Sequence, residues 1–123
     1  MLKDNFYKAE SIEKKADRKY NRLIHLDIDH PIFGGHFPEM KVVPGVTMVQ
    51  MVKETCEEIL GQPLRMKESK MIKFLTMIRP EENASIDIEL NFGNDAAPWE
   101  VSGQLSAGET VFFKIKGTFH AAS

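Results

Sequence analysis

The 123-residue chain predicts a single α+β domain over residues 1–123, an antiparallel sheet wrapped around one long central helix. Two patterns and one absence support this. Strict apolar/polar alternation dominates the C-terminal half. A three- and four-residue apolar rhythm occupies one stretch in the middle. No repeat, low-complexity tract or Gly/Ser/Pro linker separates them into units.

In chain order, Phe6 to Lys14 and Tyr20 to Ile28 read as a hairpin turning near Ala16-Asp17-Arg18. A loop crowded with glycine and proline follows. From Val46 to Leu60, Met48, Met51, Val52, Cys56, Ile59 and Leu60 recur on one helical face, while Lys53, Glu54, Glu57 and Glu58 group elsewhere. Pro44 suits the first turn because it lacks the N–H that would be orphaned there, and Gly61 with Pro63 supplies the stop. A strand is expected from Glu68 to Arg79, ending at Pro80. Next, Ala84, Ile86, Ile88, Leu90 and Phe92 alternate with Ser85, Asp87, Glu89 and Asn91. Trp99, Val101 and Leu105, then Val111, Phe113, Ile115 and Phe119, repeat the alternation and complete a three-stranded meander. Gly93-Asn94-Asp95 with Pro98, and Ala107-Gly108-Glu109, carry the turn chemistry of its connections.

Composition narrows the function classes. Hydrophobic content of 42% with 28% charged residues is ordinary for a globular domain, and a net charge of −2 gives no global pull toward nucleic acid or an anionic membrane. The N-terminal residues carry no apolar leader, and no stretch approaches the roughly 18 apolar residues of a membrane helix, so a cytoplasmic protein is expected. The lone Cys56 lies in the helical pattern and reads as a small core residue. No His/Cys/Asp/Glu spacing suggests a metal, and no glycine-rich loop ends in the Lys-Ser/Thr of a phosphate cradle, so neither metal nor cofactor is expected. The seven methionines read as adaptable core filler, with a second reading in which some line an acyl tunnel.

The segment from His30 to Val46 concentrates the chemistry. Gly34-Gly35 allows backbone conformations closed to other residues, which presents His36 at a constrained position with Phe37-Pro38 fixing the exit. Further on, free N–H groups at Gly45 and Val46 open the helix and form a site for a carbonyl oxygen that gains negative charge. A neutral imidazole facing such a site can remove a proton from the carbon next to a thioester carbonyl. By itself, a histidine among glycines also has a structural reading, as do His25, His30 and His120.

His30-Pro31-Ile32-Phe33-Gly34-Gly35-His36-Phe37-Pro38, then five residues, then Pro44-Gly45-Val46, resembles the signature of the hot-dog 3-hydroxyacyl-acyl-carrier-protein dehydratases. Lys73-Phe74 followed by Ile78-Arg79-Pro80 resembles that family's strand entering a proline-containing turn. The resemblance implies a hot-dog fold and removal of water from a 3-hydroxyacyl thioester of acyl carrier protein or coenzyme A. It further implies a homodimer, or an assembly of dimers, with sites at the subunit interface. His36 matches the catalytic histidine and Gly45 the amide that holds the thioester carbonyl, with Phe33 and Val46 as substrate-binding neighbours.

One position departs from the family pattern. Fourteen residues after His36, where the family places a Glu or Asp contributed by the partner subunit, this chain has Gln50. An amide cannot donate a carboxylic proton, although it can hold a hydroxyl or a water. The family's acid-x-x-x-Gln order is exchanged here to Gln50-Met51-Val52-Lys53-Glu54, and residues four apart share a helix face, so Glu54 is a candidate substitute acid. Its other reading is a solvated surface carboxylate beside Lys53, Glu57 and Glu58. Two alternatives stay open beside the dehydratase: a hot-dog thioesterase, and a non-catalytic acyl-thioester-binding subunit that has lost its acid. Arg65, Lys67, Lys70, Lys73 and Arg79 are candidate contacts for an acidic carrier protein, or else solubilising charges.

Overall fold

The structure is a computed structural model that describes residues 2–31 and 42–122. Its elements are β1 (Tyr7–Ala9), β2 (Glu13–Ala16), β3 (Lys19–Leu26), α1 (Gly45–Leu60), β4 (Leu64–Phe74), β5 (Ser85–Phe92), β6 (Trp99–Ala107) and β7 (Thr110–Ala121). The seven strands form one antiparallel sheet in the order β1-β3-β5-β6-β7-β4, with β2 also paired to β3.

The alternation expected for the C-terminal strands holds through most of the sheet but not at two positions: Ala84 is exposed and precedes β5, and Phe112 is buried beside Phe113 while Val111 is only half-buried, where the β6–β7 register shifts. Ile86, Ile88 and Leu90 of β5, Val101 and Leu105 of β6, and Phe113, Ile115 and Phe119 of β7 point inward and are buried. Met48, Met51, Val52 and Cys56 of α1 pack onto that face. Gly103 lets the helix come close, since a Cβ there would stand 2.9 Å from Leu90 Cδ2 and 3.3 Å from Val52 Cγ1. Apolar burial of this kind drives the fold, at roughly 25 cal/mol per Å² removed from water. The helix runs one residue longer than its apolar pattern, with Pro44 as N-cap and Gly61 closing it at φ 69°. Positive φ is the conformation for which glycine is suited at a helix end.

Three expectations need correction. The strand expected over Glu68 to Arg79 lies at Leu64–Phe74, in register from Leu64 opposite Ala121 to Phe74 opposite Phe113. The chain then leaves the ladder because the N–H groups of Leu75 and Thr76 both turn to the carbonyl of Phe112, at 2.9 and 3.3 Å, while Ile78 is buried. The N-terminal hairpin is broken in two: β1 and β2 both pair with β3, and Glu10, between them, donates its N–H to the Leu23 carbonyl instead of continuing a strand. Glu54 is not on a solvated helix surface; it is 0% exposed.

Candidate functional site

The first intrahelical bonds of α1 run from the N–H groups of Thr47 and Met48 to the Pro44 carbonyl, at 3.1 and 3.3 Å. The N–H groups of Gly45 and Val46 precede them and, among the described residues, meet no acceptor, as helix geometry leaves the N–H groups of the first turn. Val46 is 79% exposed. The side of Gly45 is covered by the Phe74 ring, whose Cε1 and Cζ would lie 2.8 Å from a Cβ at that position. Phe74 leans in turn on Phe113, with ring centroids 5.2 Å apart. Gly45 and Phe74 border an apolar groove of about 580 Å³ at the helix start, lined among others by Val43, Met48, Leu75 and Met77. Ligand sites for acyl-sized molecules fall in this volume range. Met51 is sealed in the core, while Met48 and Met77 border the groove.

One turn along the helix, the Gln50 side-chain amide donates to Glu54 Oε2 at 2.9 Å. The Glu54 carboxylate accepts three more hydrogen bonds: from the Leu2 N–H at 2.8 Å, the Lys3 N–H at 3.0 Å and the Tyr7 hydroxyl at 3.2 Å. Burial alone would raise its pKa; the bonds from Leu2, Gln50, Lys3 and Tyr7 outweigh that and hold the carboxyl below the ordinary glutamate value. Burial, reinforced by the neighbouring Glu54 charge, pushes the Tyr7 phenol far up, so Tyr7 stays a donor. Beside this group, Arg22 on β3 and Lys3 both engage Glu58, Lys3 at 2.6 Å. Burial also raises Glu58, and its bonds to Arg22 and Lys3 reverse the direction.

The structure therefore brings Gly45, Val46, Gln50 and Glu54 together along the first three turns of α1. His36 and Phe33 lie outside the described residues. The loop that carries them starts next to His30, whose ring meets the buried Phe6 edge-on at 5.3 Å. His25 is elsewhere, on β3, between Ser85 Oγ at 2.9 Å and Glu10 Oε2 at 2.7 Å. Cys56 is sealed in the core and burial pushes its thiol up to about 12, which removes it as a nucleophile near neutral pH. Arg65, Lys67, Lys70 and Lys73 are exposed along β4, with Arg79 exposed beyond its end. Among the described residues no His/Cys/Asp/Glu group is arranged to hold a metal, and no helix is long and apolar enough to cross a membrane.

Sequence patterns missed two contributors. Tyr7 sits in a stretch with weak alternation, and nothing local marks it as the partner of a glutamate 47 residues away. Phe74 was visible only as part of the strand that resembles the family's, and its contact with Gly45 depends on how β4 ends.

An antiparallel sheet curled around one long helix is the arrangement of a hot-dog fold. The family model described as ApeI dehydratase matches residues 12–110, and the chain belongs to this ApeI-like dehydratase family. The ApeI:P dehydratase heterocomplex from Xenorhabdus doucetiae superposes with a TM-score of 0.74 at 19% identity, covering 90% of this chain and 95% of that one. This likeness establishes the hot-dog fold. The 3-hydroxyacyl-acyl-carrier-protein dehydratase FabZ of Clostridium perfringens is 22% identical over 89% of this chain and 88% of its own length. FabZ of Caldicellulosiruptor saccharolyticus is 26% identical over 85% and 84%, respectively.

Proposed function

We propose that the protein removes water from a 3-hydroxyacyl thioester to give the trans-2-enoyl thioester, in fatty-acid or related acyl-chain synthesis, with the acyl group carried on acyl carrier protein or coenzyme A. The observation that carries this reading is the helix start at Gly45 and Val46, where Gly45 borders the apolar groove, with Gln50 one turn further on. There the thioester carbonyl accepts from the helix N–H groups, which stabilise the charge that develops on its oxygen. His36 takes a proton from C2. Gln50 holds the 3-hydroxyl, and Phe33 and the groove contact the acyl chain. The C3–O bond then breaks. Gln50 has no acidic proton to give, and Glu54 is ionised and enclosed, so it does not fit the role of substitute acid. The imidazolium formed on His36 therefore returns its proton to the departing hydroxyl, and water leaves with no net proton change and no cofactor required.

A homodimer completes the site in this reading. β4 is one edge of the sheet, and Ile72, Phe74, Leu75 and Met77 at and beyond its end are exposed. A long unpaired edge beside an apolar patch is the surface a partner covers. The basic side chains along β4 suit an acidic carrier protein or the phosphates of coenzyme A.

The replacement of the usual acid by Gln50 favours a second reading, a non-catalytic acyl-thioester-binding subunit that pairs with an active homologue. The Xenorhabdus doucetiae relative is itself described as a heterocomplex.

The assay is interconversion of 3-hydroxyacyl and trans-2-enoyl thioesters, presented on both carriers. Turnover is expected, with His36→Ala reducing it by about 10²- to 10⁴-fold, the usual contribution of a general acid-base group. Gly45→Ala should also reduce it, because the added methyl competes with the Phe74 ring beside the carbonyl site. Tight binding without turnover on either carrier decides for the second reading, and release of free thiol in place of dehydration would identify a thioesterase.

A further inference from the structure

The geometry points to Glu54 as a positioning residue that fixes which end of the Gln50 amide meets the substrate, presenting the carbonyl oxygen Oε1 to the 3-hydroxyl. This deepens the dehydratase reading and rests on it for the identity of the substrate group.

An ionised carboxylate can only accept hydrogen bonds. Since Glu54 Oε2 receives the Gln50 amide at 2.9 Å, the NH2 end of Gln50 must face Glu54 and Oε1 must face away. Among the described residues nothing donates to Gln50 Oε1. A free acceptor is the group to which a substrate hydroxyl donates its proton. The interaction orients the C3–O bond for cleavage and leaves proton delivery to another residue.

The other three donors to Glu54 all come from the N-terminal turn. The N–H groups of Leu2 and Lys3 and the Tyr7 hydroxyl hold both carboxylate oxygens, so docking of this turn keeps Glu54 charged and in place. The turn is itself closed, by the Phe6 N–H on the Leu2 carbonyl at 2.6 Å, and it is tied to the sheet by the Asp27 N–H on the Phe6 carbonyl at 2.9 Å. Arg22 and Lys3, the cations nearest this group, are engaged by Glu58. The charge on Glu54 is thus balanced chiefly by hydrogen bonds, one of which is Gln50's. An amide at position 54 would offer an NH2 group in place of a carboxylate oxygen and remove the reason for Gln50 to keep its present orientation.

The test is a double-mutant cycle on turnover, read as kcat and KM separately, with the side-chain amide resonances of Gln50 followed in parallel by NMR. Glu54→Gln should lower kcat by about 10- to 100-fold, the worth of a hydrogen bond to a charged group, with little change in KM. Gln50→Ala should lower it similarly, and the double variant should be no worse than Gln50→Ala alone. Losses that multiply would overturn the proposal, because Glu54 would then act independently of Gln50. In the unmodified protein, the Gln50 amide resonances should follow the titration of the Glu54 carboxyl, with Tyr7, Lys3, Arg22 and Glu58 as the other titratable groups around it. Resonances that ignore that titration would also overturn it. The NMR readout needs no turnover, so it decides the orientation of Gln50 even if the thioester assays fail and the dehydratase reading with them.

Discussion

Glu54 carries a negative charge into a fully enclosed position, and its four donors explain why it tolerates that. An uncompensated buried charge would cost several kcal/mol, and hydrogen bonds to the charged form remove most of the penalty. The same arrangement makes stability depend on acid. Glu54 and Glu58 both have folded-state pKa values below their ordinary value of 4.5. The unfolded chain therefore takes up protons first as pH falls, so their stabilisation is fully present above about 4.5 and is lost as pH drops through the lower folded values. Thermal unfolding followed from pH 7 downward should show a steady midpoint that declines once the pH passes below that point. Glu54→Gln should lower the plateau and flatten the decline. A decline of unchanged steepness in this variant would show that other carboxylates set the acid limit. At this scale the sequence offered Gln50 as a departure from the motif it resembles, and the structure adds that its amide donates to Glu54. The burial of Glu54 was not, since Leu2 stands 52 residues away and its backbone N–H carries no residue-specific signature.

Between elements, the approach of α1 to the sheet is set at Gly103 on β6. An added methyl there meets Leu90 on one side, Ile115 on the other and Val52 of the helix above, all within 3.3 Å. Unlike the Phe74 ring over Gly45, these neighbours are packed on every side and have nowhere to move. Gly103→Ala should therefore destabilise the protein by about 1 to 3 kcal/mol, the usual cost of overpacking a filled core, measured by urea unfolding. A variant as stable as the parent would mean that the helix lies further from β6 than described. The elements themselves were largely legible, because period-two alternation for the meander and the apolar stripe of α1 are local properties of the chain. The ends of β4 were not. They are decided by pairing with β7, which lies some 50 residues later in the chain, and by a carbonyl of Phe112 that draws the chain away from the ladder.

For the molecule as a whole, the exposed edge at β4 is where the proposed homodimer would form. An 11-residue strand with one unpaired side, ending in exposed Ile72 and Phe74, leaves backbone donors and apolar surface to water together. Two copies joined along this edge would run at twice the 14.0 kDa chain mass in sedimentation equilibrium. Ile72→Lys should shift the population to monomer by placing a charge in the buried seam, and should reduce turnover in parallel if the site is shared. A dimer that persists in this variant would place the interface elsewhere.

The sequence by itself determined the antiparallel sheet around one helix and the helix start at Gly45, and it proposed His36, Gly45, Val46 and Gln50 as site positions. All of these follow from short-range periodicity or from motif spacing. Tertiary structure alone decided that Glu54 is enclosed, that Tyr7 and the N-terminal turn hold it, and that Phe74 closes over Gly45. Those contacts join segments far apart in the chain, and a side chain's charge state and direction depend on which groups the fold brings to it, which no local pattern encodes.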